Sequence, residues 1–435
     1  MSTPTLIVFS HLRWNFVYQR PQHLMSRLAQ RWPVLFIEEP VHAPGEASFD
    51  VTEPAPGVRV LRPHTPANAP GFHDGQLAHL QSILAAFLER EAIADYMVWF
   101  YTPMALPLLT GLHPRAVIYD CMDELSAFKD APRQMAQREH ALLKCADVVF
   151  TGGPSLYELK RIASANAHCF PSAVDAAHFA TATTLPRDGY AGGERPALGY
   201  FGVIDERMDL ALLNALASAH PEWDIQMVGP VVKIDPASLP KHPNLYWLGQ
   251  QRYEDLPGLI SGWDVCLLPF AINASTRYIS PTKTLEYMAA ARPVVSTAIR
   301  DVVTLYGDCV QVTDSIESFL EACEQVLGEA PGRRARRHVE MMSMVGRFSW
   351  DATASAVIDQ IERLVPPPRI AQTSQGQDSD SGGTVPAIAA GRPVQAGHLI
   401  IGAGPTGLAV ARELGAAAKL IEREAQVGGW CRSVR

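Results

Sequence analysis

Runs of hydrophobic residues alternate with amphipathic segments along the first 365 residues, and the whole series occurs twice. Each run is short and apolar on both faces, as in a buried parallel strand, and the segments between carry apolar residues at helical spacing. The alternation predicts an α/β fold with doubly wound parallel sheets. In the first series we predict strands at 6–9, 34–37, 58–61, 97–101, 116–119 and 148–150, and helices from 21, at 75–93, at 133–145 and at 154–162.

The pattern restarts after residues 181–196, whose Thr, Gly and Pro content predicts an interdomain linker. We therefore predict two tandem Rossmann-like domains, residues 1–182 and 183–365, with ligand crevices facing each other at the carboxyl ends of the strands. The second series predicts strands at 197–201, 224–228, 244–248, 265–268 and 294–296, and helices at 209–218, 281–290, 315–327 and 348–365.

The character of the chain changes after residue 365. Residues 366–396 have few apolar side chains to bury and predict a flexible linker. Residues 397–435 predict a truncated βαβ unit, with a strand at 398–401, a GxGxxG motif, a helix and a second strand that ends in an acid. In dinucleotide-binding folds such glycines approach a pyrophosphate and such an acid binds a ribose. The candidate cofactor ligands are Gly402, Gly404, Gly407 and Glu422, but the unit is too short for a complete flavin site.

The segment 277–297 carries the most informative charge pattern. Ser280 is a favourable N-cap and Pro281 a favourable first helical residue. Lys283 then stands in the first helical turn, where the helix macrodipole disfavours a cation unless an anion binds there. Glu286, three residues later, lies on the same face of the helix as Lys283. The cation could therefore bind a phosphate and the carboxylate could bind sugar hydroxyls of one nucleotide-sugar. The alternative is an ordinary capped helix with a surface Lys–Glu pair.

Composition and charge exclude several classes of function. The chain has 435 residues, a net charge of −8 and a pI of about 6.0, which argues against nucleic acid as the main partner. Seven cysteines without a CxxC pair, and histidines without HExxH, predict neither a zinc site nor a disulfide framework. We find no signal peptide and no apolar run long enough to span a membrane, so we expect a cytoplasmic protein.

Two family resemblances are carried by short segments. RPQHL at 20–24, YDCMDEL at 119–125, ADVVFT at 146–151, DVCLLPF at 264–270 and SPTKTLEYMAAARPVV at 280–295 resemble a GT-B glycosyltransferase of the family 4 type, from its bacterial polysaccharide-building branch. The last of these segments is the most specific. Residues 397–435, with VGGWCRS at 427–433, resemble the start of an FAD-dependent amine-oxidase-like or UDP-galactopyranose mutase protein.

The first resemblance implies transfer of a sugar from a nucleotide-diphosphate donor, with a UDP-sugar expected, to a hydroxyl of a glycan or lipid-linked acceptor in surface-polysaccharide synthesis. It implies a metal-independent site in which Lys283 binds the diphosphate, with the amides near Thr282, and Glu286 binds sugar hydroxyls. Arg207 and Tyr278 are further donor-side candidates, and the turn at Gly249 is expected to border the base.

The chain departs from the family pattern at three places. Tyr278 stands where retaining family members carry a glutamate, and Val203 where they carry an arginine. Arg207 is a possible replacement for that arginine, and the stereochemical outcome stays open. Ala291 replaces a glycine after the helix, which costs roughly 1 kcal/mol if the residue adopts a positive φ.

The first domain is expected to bind the acceptor and to supply a base. We choose Asp120, because it follows the strand at 116–119 and stands beside further carboxylates that can raise its pKa. The alternative is that Asp120 caps the next helix. His11 is the second candidate base, with a structural histidine as the alternative.

Two other functions remain open. One is an FAD-dependent oxidoreductase or mutase defined by the C-terminal unit, and the other is a GT-B protein without catalysis. Glycosyl transfer itself is expected to require no cofactor, and the FAD motif is present but truncated. Lipid-linked acceptors are common for the resembled family, which implies a peripheral contact at the inner face of the membrane, although we identify no strongly basic amphipathic helix to support it.

Overall fold

Two parallel sheets organise the first 365 residues. The computed structural model describes residues 3–186 and 195–365, and the backbone of 398–401 and 418–421. Met1–Pro368 and Arg369–Arg435 form two separate compact units. Each strand predicted in the first 365 residues is present in one of the two sheets, which confirms the doubly wound α/β interpretation. The boundary predicted between residues 182 and 183 stays a prediction.

The first sheet has nine strands, and all but one run parallel to their neighbours. The strands are β1 (Thr5–Phe9), β2 (Val34–Ile37), β3 (Val41–His42), β4 (Ser48–Ala55), β5 (Val58–Thr65), β6 (Tyr96–Phe100), β7 (Val117–Cys121), β8 (Val148–Thr151) and β9 (Ala167–Cys169). Their order is β3-β5-β2-β1-β6-β7-β8-β9, with β4 antiparallel to β5. The order reverses direction between β1 and β6, so ligands are expected beyond the ends of these two strands.

Helices cover both faces of this sheet. They are α1 (Arg20–Leu28), α2 (Asp74–Arg90), α3 (Met135–Cys145) and α4 (Pro154–Lys160), whereas the next helix, α5 (Ala176–Ala180), buries Phe179 in the core of the second sheet. The strands alternate their side chains between two buried clusters, one of which contains Ile7 and Phe9 and the other Leu6 and Val8. Burial on both faces explains why these strands read as continuous apolar runs.

The second sheet has six parallel strands in the order β12-β11-β10-β13-β14-β15. The strands are β10 (Ala197–Phe201), β11 (Asp224–Val228), β12 (Leu245–Gly249), β13 (Val265–Leu268), β14 (Val294–Thr297) and β15 (Gln311–Thr313). Counted from β10, this is the order 3-2-1-4-5-6 of dinucleotide-binding folds, whose ligand lies at the reversal between the first and fourth strands. That point lies between β10 and β13.

Seven helices belong to the second half. They are α6 (Leu210–Ala219), α7 (Leu256–Ser261), α8 (Lys283–Ala289), α9 (Arg300–Tyr306), α10 (Ile316–Leu327), α11 (Pro331–Val345) and α12 (Trp350–Leu364). Asp209 and Ser315 cap α6 and α10 through their side chains. The sequence analysis missed α7, α9 and α11. Of these, α11 contains the basic sequence RRARRH at 333–338.

The final helix, α12, returns to the first sheet and packs against α1. Trp350 is 2% exposed, and its ring stacks on that of His23 with centroids 4.7 Å apart. Arg27 on α1 and Arg31 in the turn after it pair with Asp351 and Glu362 on α12 at 2.6 and 2.7 Å. The chain therefore crosses between the sheets twice, and α12 ties the second half to the first.

The predicted cap of α8 is wrong. The helix begins at Lys283, two residues later than the Pro281 start requires, and its N-cap residue Thr282 makes no side-chain cap. Ser280 lies two residues before the N-cap position and therefore does not cap the helix. Beyond the helix, Ala291 has φ of 56°, so the condition for its strain is met.

In the second unit, two described strands pair in parallel. They are β16 (His398–Ile401) and β17 (Ala418–Ile421), as the predicted βαβ unit requires. Gly402, Gly404, Gly407 and Glu422, and the linker predicted at 366–396, lie outside the described residues.

Candidate active site

Glycines lie at the carboxyl ends of three neighbouring strands of the second sheet, β10, β11 and β12. Gly202 and Gly229 have φ of 141° and 145°, and Gly249 has φ of 67°. A Cβ on Gly202 would stand 2.0 Å from Cε of Lys283, and one on Gly229 would stand 1.8 Å from the Gly202 carbonyl oxygen. The strand ends therefore approach one another closely and leave a channel that the Lys283 side chain occupies.

Lys283, the first residue of α8, is directed into this channel. Its ammonium lies 5.9 Å from the centre of the Phe201 ring. Burial lowers the Lys283 pKa, while the Glu286 carboxylate opposes that shift. Within residues 3–186 and 195–365, Lys283 has no ion-pair partner within 4.0 Å. A partly buried cation without such a partner is suited to hold an incoming anion.

Glu286 stands one helical turn further along and faces the same space. It is 8% exposed, and burial raises its pKa to about 7, against the opposing effect of Lys283. Both residues and Thr282 line one cavity, as the sequence pattern predicted for the Lys–Glu pair. Glu286 is thus close to half protonated at neutral pH, so it can donate or accept a hydrogen bond.

This larger cavity has a volume of about 690 Å³ and lies between the two sheets. Its walls come from the loop after β1, from the ends of β10 and β11, from the segment after β12 and from α8; the lining includes residues 14–19, 201–202, 228–230, 250–254 and 282–283, with Glu286. Gln250 Nε2 donates to the Phe16 carbonyl oxygen at 2.5 Å across the opening. The volume lies within the range of small-molecule sites.

Gly249, which the sequence analysis expected to border the base, immediately precedes the segment 250–254 that lines the cavity. Its carbonyl oxygen accepts a hydrogen bond from the Gly229 amide at 2.8 Å.

A smaller cavity of about 110 Å³ adjoins the larger one, and the two share Val17, Gln19, Thr282 and Lys283. Asp123, from the loop after β7, and Arg207, from the loop after β10, line this smaller space from opposite sheets. Asp123 from the first half of the chain and the cations Arg207 and Lys283 from the second half therefore line the same cavity.

Asp123 is the carboxylate that faces the second sheet. Burial raises its pKa to about 6; the charges of Arg207, Lys283 and Lys233 oppose the shift and that of Asp205 adds to it. A carboxyl group with this pKa, at a cleft and among cations, has the properties of a general base. The sequence analysis included Asp123 only among the carboxylates beside Asp120, because the spacing of acidic residues alone does not say which side chain turns outward.

Asp120 is placed differently. It lies within β7, is 0% exposed and receives three hydrogen bonds from the Arg20 guanidinium, at 2.9 to 3.1 Å. Arg20 also donates to the Phe170 carbonyl at 2.8 Å. Asp120 lines neither of the two cavities. Its role as the base stays a prediction, but a fully buried ion pair favours a structural role.

His11 follows β1 at the reversal point of the first sheet. Burial, followed by the Lys233 charge, lowers its pKa to about 4. Its Nδ1 has no hydrogen-bond partner among the described residues. His11 is therefore neutral at neutral pH, and its assignment as second base stays a prediction.

Arg207 and Tyr278, the other donor-side candidates, have protein partners. Arg207 donates to Asp205 from Nε at 2.9 Å and from Nη2 at 2.7 Å, so much of its charge is already compensated. Tyr278 lies outside both cavities, beside the Arg277 guanidinium and against the core of the first sheet. The geometry supports Arg207 at the border of the cleft and brings Tyr278 into neither cavity.

No metal centre is formed by the described residues, since they contain no group of three or more His, Cys, Asp or Glu side chains able to hold an ion. In the same part of the chain, no helix is both long and apolar enough to cross a membrane.

Comparison with known proteins agrees with this architecture. Residues 195–329, which hold the glycine-terminated strands and α8, match the family described as Glycosyl transferases group 1. A curated relative, TuaH of Bacillus subtilis (strain 168), bears a name that assigns it as a glycosyltransferase to teichuronic acid biosynthesis. It is 26% identical over 273 residues, which cover 58% of this chain and 68% of TuaH.

Solved structures share the fold at low identity. Sucrose-phosphate synthase from Thermosynechococcus elongatus superposes with a TM-score of 0.65 at 17% identity, over 83% of this chain and 99% of that one. Trehalose-6-phosphate synthase from E. coli, bound with UDP-2-fluoro glucose, gives a TM-score of 0.60 at 12% identity, over 82% and 99% of the two chains. At such identities the likeness establishes the α/β fold with two parallel sheets that GT-B glycosyltransferases share.

Proposed function

We propose that this glycosyltransferase moves a sugar from a nucleotide-diphosphate donor, a UDP-sugar, to a hydroxyl group of a glycan or lipid-linked acceptor in polysaccharide synthesis. The observation that carries the proposal is the position of Lys283 and Glu286. Both side chains line the 690 Å³ cavity at the reversal point of a sheet with dinucleotide-binding strand order.

Lys283 is the proposed ligand of the diphosphate. The leaving diphosphate gains negative charge as the bond to the sugar breaks, so a fixed cation at that place stabilises the transition state more than the ground state. Burial lowers the Lys283 pKa, and the negative charge of a bound diphosphate would raise it again. UDP as the nucleotide is proposed from the resemblance, and the related E. coli structure holds a UDP-sugar analogue.

Glu286 is the proposed ligand of ribose or donor-sugar hydroxyls. It shares the cavity wall with Lys283 and lies beside the loop at 250–254. The hydroxyl groups of a sugar offer both donors and acceptors, and a carboxyl group with a pKa of about 7 can pair with either kind.

Asp123 is the proposed base, in place of Asp120. An acceptor hydroxyl in the smaller cavity would lie between Asp123 and the cations that hold the diphosphate. Its oxygen attacks the anomeric carbon of the donor sugar, the bond from that carbon to the diphosphate oxygen breaks, and the hydroxyl proton passes to Asp123. The pKa of about 6 places Asp123 closer to neutrality than an ordinary aspartate, which makes proton uptake easier.

Nothing in the comparisons favours the two alternative functions. A flavin absorbance band in the purified full-length chain would favour the oxidoreductase or mutase interpretation. Nucleotide binding without any detectable glycosyl transfer would favour the interpretation as a GT-B protein that lacks catalytic activity.

The proposal is tested by calorimetric titration of the full chain with UDP, GDP and ADP. We expect UDP to bind, and Lys283→Ala to weaken binding by about 10- to 100-fold, since hydrogen bonds to charged groups contribute roughly 1.5–3 kcal/mol. Lys241→Ala, which removes an exposed lysine far along the sequence from α8, is the matched control and should bind UDP like the wild type. Absence of nucleotide binding, or equal affinity of the Lys283→Ala variant, would overturn the donor site.

A further inference from the structure

A buried cluster of ionisable side chains lies beside the loop that carries Asp123. Lys160, the last residue of α4, is 3% exposed and donates to Glu124 at 2.5 Å and to Glu139 of α3 at 2.7 Å. The side chains of Glu124 and Glu139 are each 11% exposed. These three residues line neither of the two cavities. The cluster therefore lies behind the candidate site, on the side of the first half.

The cluster combines one cation with two carboxylates. Burial opposes the charged form of Lys160, but the carboxylates of Glu139 and Glu124 raise the pKa of Lys160 above its ordinary value. Glu139 also accepts a hydrogen bond from the Tyr119 hydroxyl at 2.7 Å. Buried ion pairs are often no more stabilising than apolar side chains of the same volume. Stability alone therefore does not account for the cluster, whereas a charged pair does fix the chain segments that carry it.

Glu124 is the member of the cluster that belongs to the loop after β7. It immediately follows Asp123, and the two side chains turn in opposite directions, Glu124 to Lys160 and Asp123 into the smaller cavity. The Asp123 carbonyl oxygen accepts from the Cys121 thiol at 3.5 Å and from the Leu125 amide at 3.1 Å. The backbone on both sides of Asp123 is thus held close to the end of β7.

The far end of the same loop contacts the second half of the chain. The Ser275 hydroxyl donates to the Ala127 carbonyl oxygen at 3.0 Å. The Phe128 ring lies against the Arg207 guanidinium and the Lys233 ammonium, 5.4 and 5.1 Å from its centre. The second half therefore holds one end of the loop, and the buried cluster holds the other.

We propose that Glu124 is a positioning residue for the base: anchored by Lys160, it fixes the loop so that the Asp123 carboxylate faces the acceptor hydroxyl. The inference rests on the proposed function, in which Asp123 takes the proton of that hydroxyl. A general base must lie within hydrogen-bond reach of the proton that it removes, and displacement by about 1 Å can cost two orders of magnitude in rate. Glu124 acts only through the orientation of Asp123.

The pKa of Asp123 reports this orientation. Burial raises that pKa to about 6, so a loop that moves Asp123 into water should lower it. The charged groups that face Asp123 come from other parts of the chain. They are Arg20 on α1, Asp205 and Arg207 after β10, Lys233 after β11 and Lys283 on α8. A substitution at Glu124 leaves all five of these groups in place.

The test is a titration of the Asp123 carboxyl by ¹³C NMR in the full-length chain, with Asp123→Asn to assign the signal. Glu124→Ala removes the tether but leaves Lys160 paired with Glu139, so the variant should fold. We expect the acid dissociation constant of Asp123 to rise about tenfold in Glu124→Ala, which lowers its pKa toward the ordinary value. Glu124→Gln keeps a hydrogen bond to Lys160 without the charge, and its Asp123 should titrate close to the wild type.

Glu139→Gln is the matched control, because it removes a carboxylate from the same lysine but not from the loop. Its Asp123 should titrate like the wild type, and all three variants should bind UDP with wild-type affinity in calorimetric titration. An unchanged Asp123 pKa in Glu124→Ala would overturn the proposal. An equal shift in Glu124→Gln or in Glu139→Gln would attribute the effect to charge and overturn it too.

Two further results would count against the positioning role. Loss of UDP binding in Glu124→Ala would show that the whole site is disturbed, and a wild-type Asp123 that titrates at the ordinary value would show that the loop does not bury it. Failure of the proposed function has a different signature. If Asp123→Asn kept its turnover, Asp123 would not be the base, but the effect of Glu124 on the Asp123 pKa would stand.

Discussion

Asp120 and Asp123 show how two carboxylates three residues apart acquire different chemistry. Asp120 is fully buried within β7 and accepts three hydrogen bonds from the Arg20 guanidinium. Asp123 follows the strand end and lines the cleft, where burial raises its pKa to about 6. The difference arises from strand register, since residues within a strand and after its end face different environments.

We expect Asp123→Asn to lower kcat by about 10²- to 10⁴-fold, the usual contribution of a general base, with UDP affinity unchanged. The measurement is the steady-state rate with a UDP-sugar and acceptor, alongside calorimetric titration with UDP. Unchanged kcat in Asp123→Asn would contradict the assignment.

Asp120→Asn should act on folding. It leaves the Arg20 charge buried without a carboxylate, and breaking such a pair costs about 3–5 kcal/mol of unfolding free energy. Chemical denaturation measures this loss. A stable Asp120→Asn protein that has lost turnover would instead restore Asp120 as the base.

The Glu286 carboxyl gives stability a defined pH dependence. Its pKa in the folded protein, about 7, exceeds the ordinary value of 4.5, so the folded state holds the proton more tightly than the unfolded chain. Stability contributed by this group is complete below about pH 4.5 and is lost as the pH rises toward 7. We expect Glu286→Gln to gain stability relative to wild type across that window, by up to about 3 kcal/mol at pH 8.

Denaturation of both proteins between pH 4.5 and pH 8 checks this expectation. Glu317→Gln, an exposed carboxyl on α10, is the control and should follow the wild type. A stability difference between Glu286→Gln and wild type that does not change with pH would contradict the raised pKa.

At the scale of elements, α8 and the glycine-terminated strands form one unit. The Lys283 side chain passes close to Gly202. A Cβ at position 202 would lie only 2.0 Å from Lys283 Cε. Gly202→Ala should therefore displace Lys283 and weaken UDP binding by at least tenfold, like removal of the lysine itself. Gly258→Ala, where a Cβ meets no atom within 4 Å, is the matched control. Calorimetric titration compares them, and equal UDP affinity of Gly202→Ala and wild type would contradict the role of the channel.

The end of α8 stores strain at Ala291. Its φ of 56° is costly for a residue with a Cβ. Ala291→Gly should raise the free energy of unfolding by about 0.5–1 kcal/mol. Ala290→Gly, where φ is −76°, should lower it. Thermal or chemical denaturation distinguishes the two substitutions, and destabilisation by Ala291→Gly would show that the site is not strained.

Sequence patterns predict some of these elements much better than others. The central strands were predicted within one or two residues because burial on both faces leaves continuous apolar runs. The edge strand β4 was missed because its residues are mostly exposed and carry no such run. The start of α8 was misplaced because Ser280 and Pro281 are residue types favoured at a helix start, whereas the chain becomes helical only at Lys283.

For the whole molecule, the cleft depends on contacts between residues far apart in the chain. Trp350 on α12 packs on His23 of α1, and this contact helps to hold the second half of the chain against the first. Trp350→Ala should lower the free energy of unfolding by about 3–5 kcal/mol, the usual cost of removing a buried aromatic side chain. Trp350→Phe should lower the free energy of unfolding by less than Trp350→Ala does, because an aromatic ring is kept. Chemical denaturation of both variants measures the two losses. Little change in Trp350→Ala would show that α12 is not needed to join the halves.

Separation along the chain also explains which residues of the candidate site could be predicted from the sequence and which could not. Lys283 and Glu286 could be predicted as a pair because they lie one turn apart on a single helix. The choice between Asp120 and Asp123 could not, because it depends on Arg20, 100 positions away from Asp120.

The central claim is that Lys283 and Glu286 hold a nucleotide-sugar between the two sheets. The most direct measurement is a crystal structure of the full chain with UDP bound. We expect a diphosphate oxygen within hydrogen-bond distance of Lys283 Nζ, about 2.7–3.2 Å, and the nucleoside in the larger cavity beside Glu286. A nucleotide bound at another place, or an empty cavity at saturating UDP, would contradict the account.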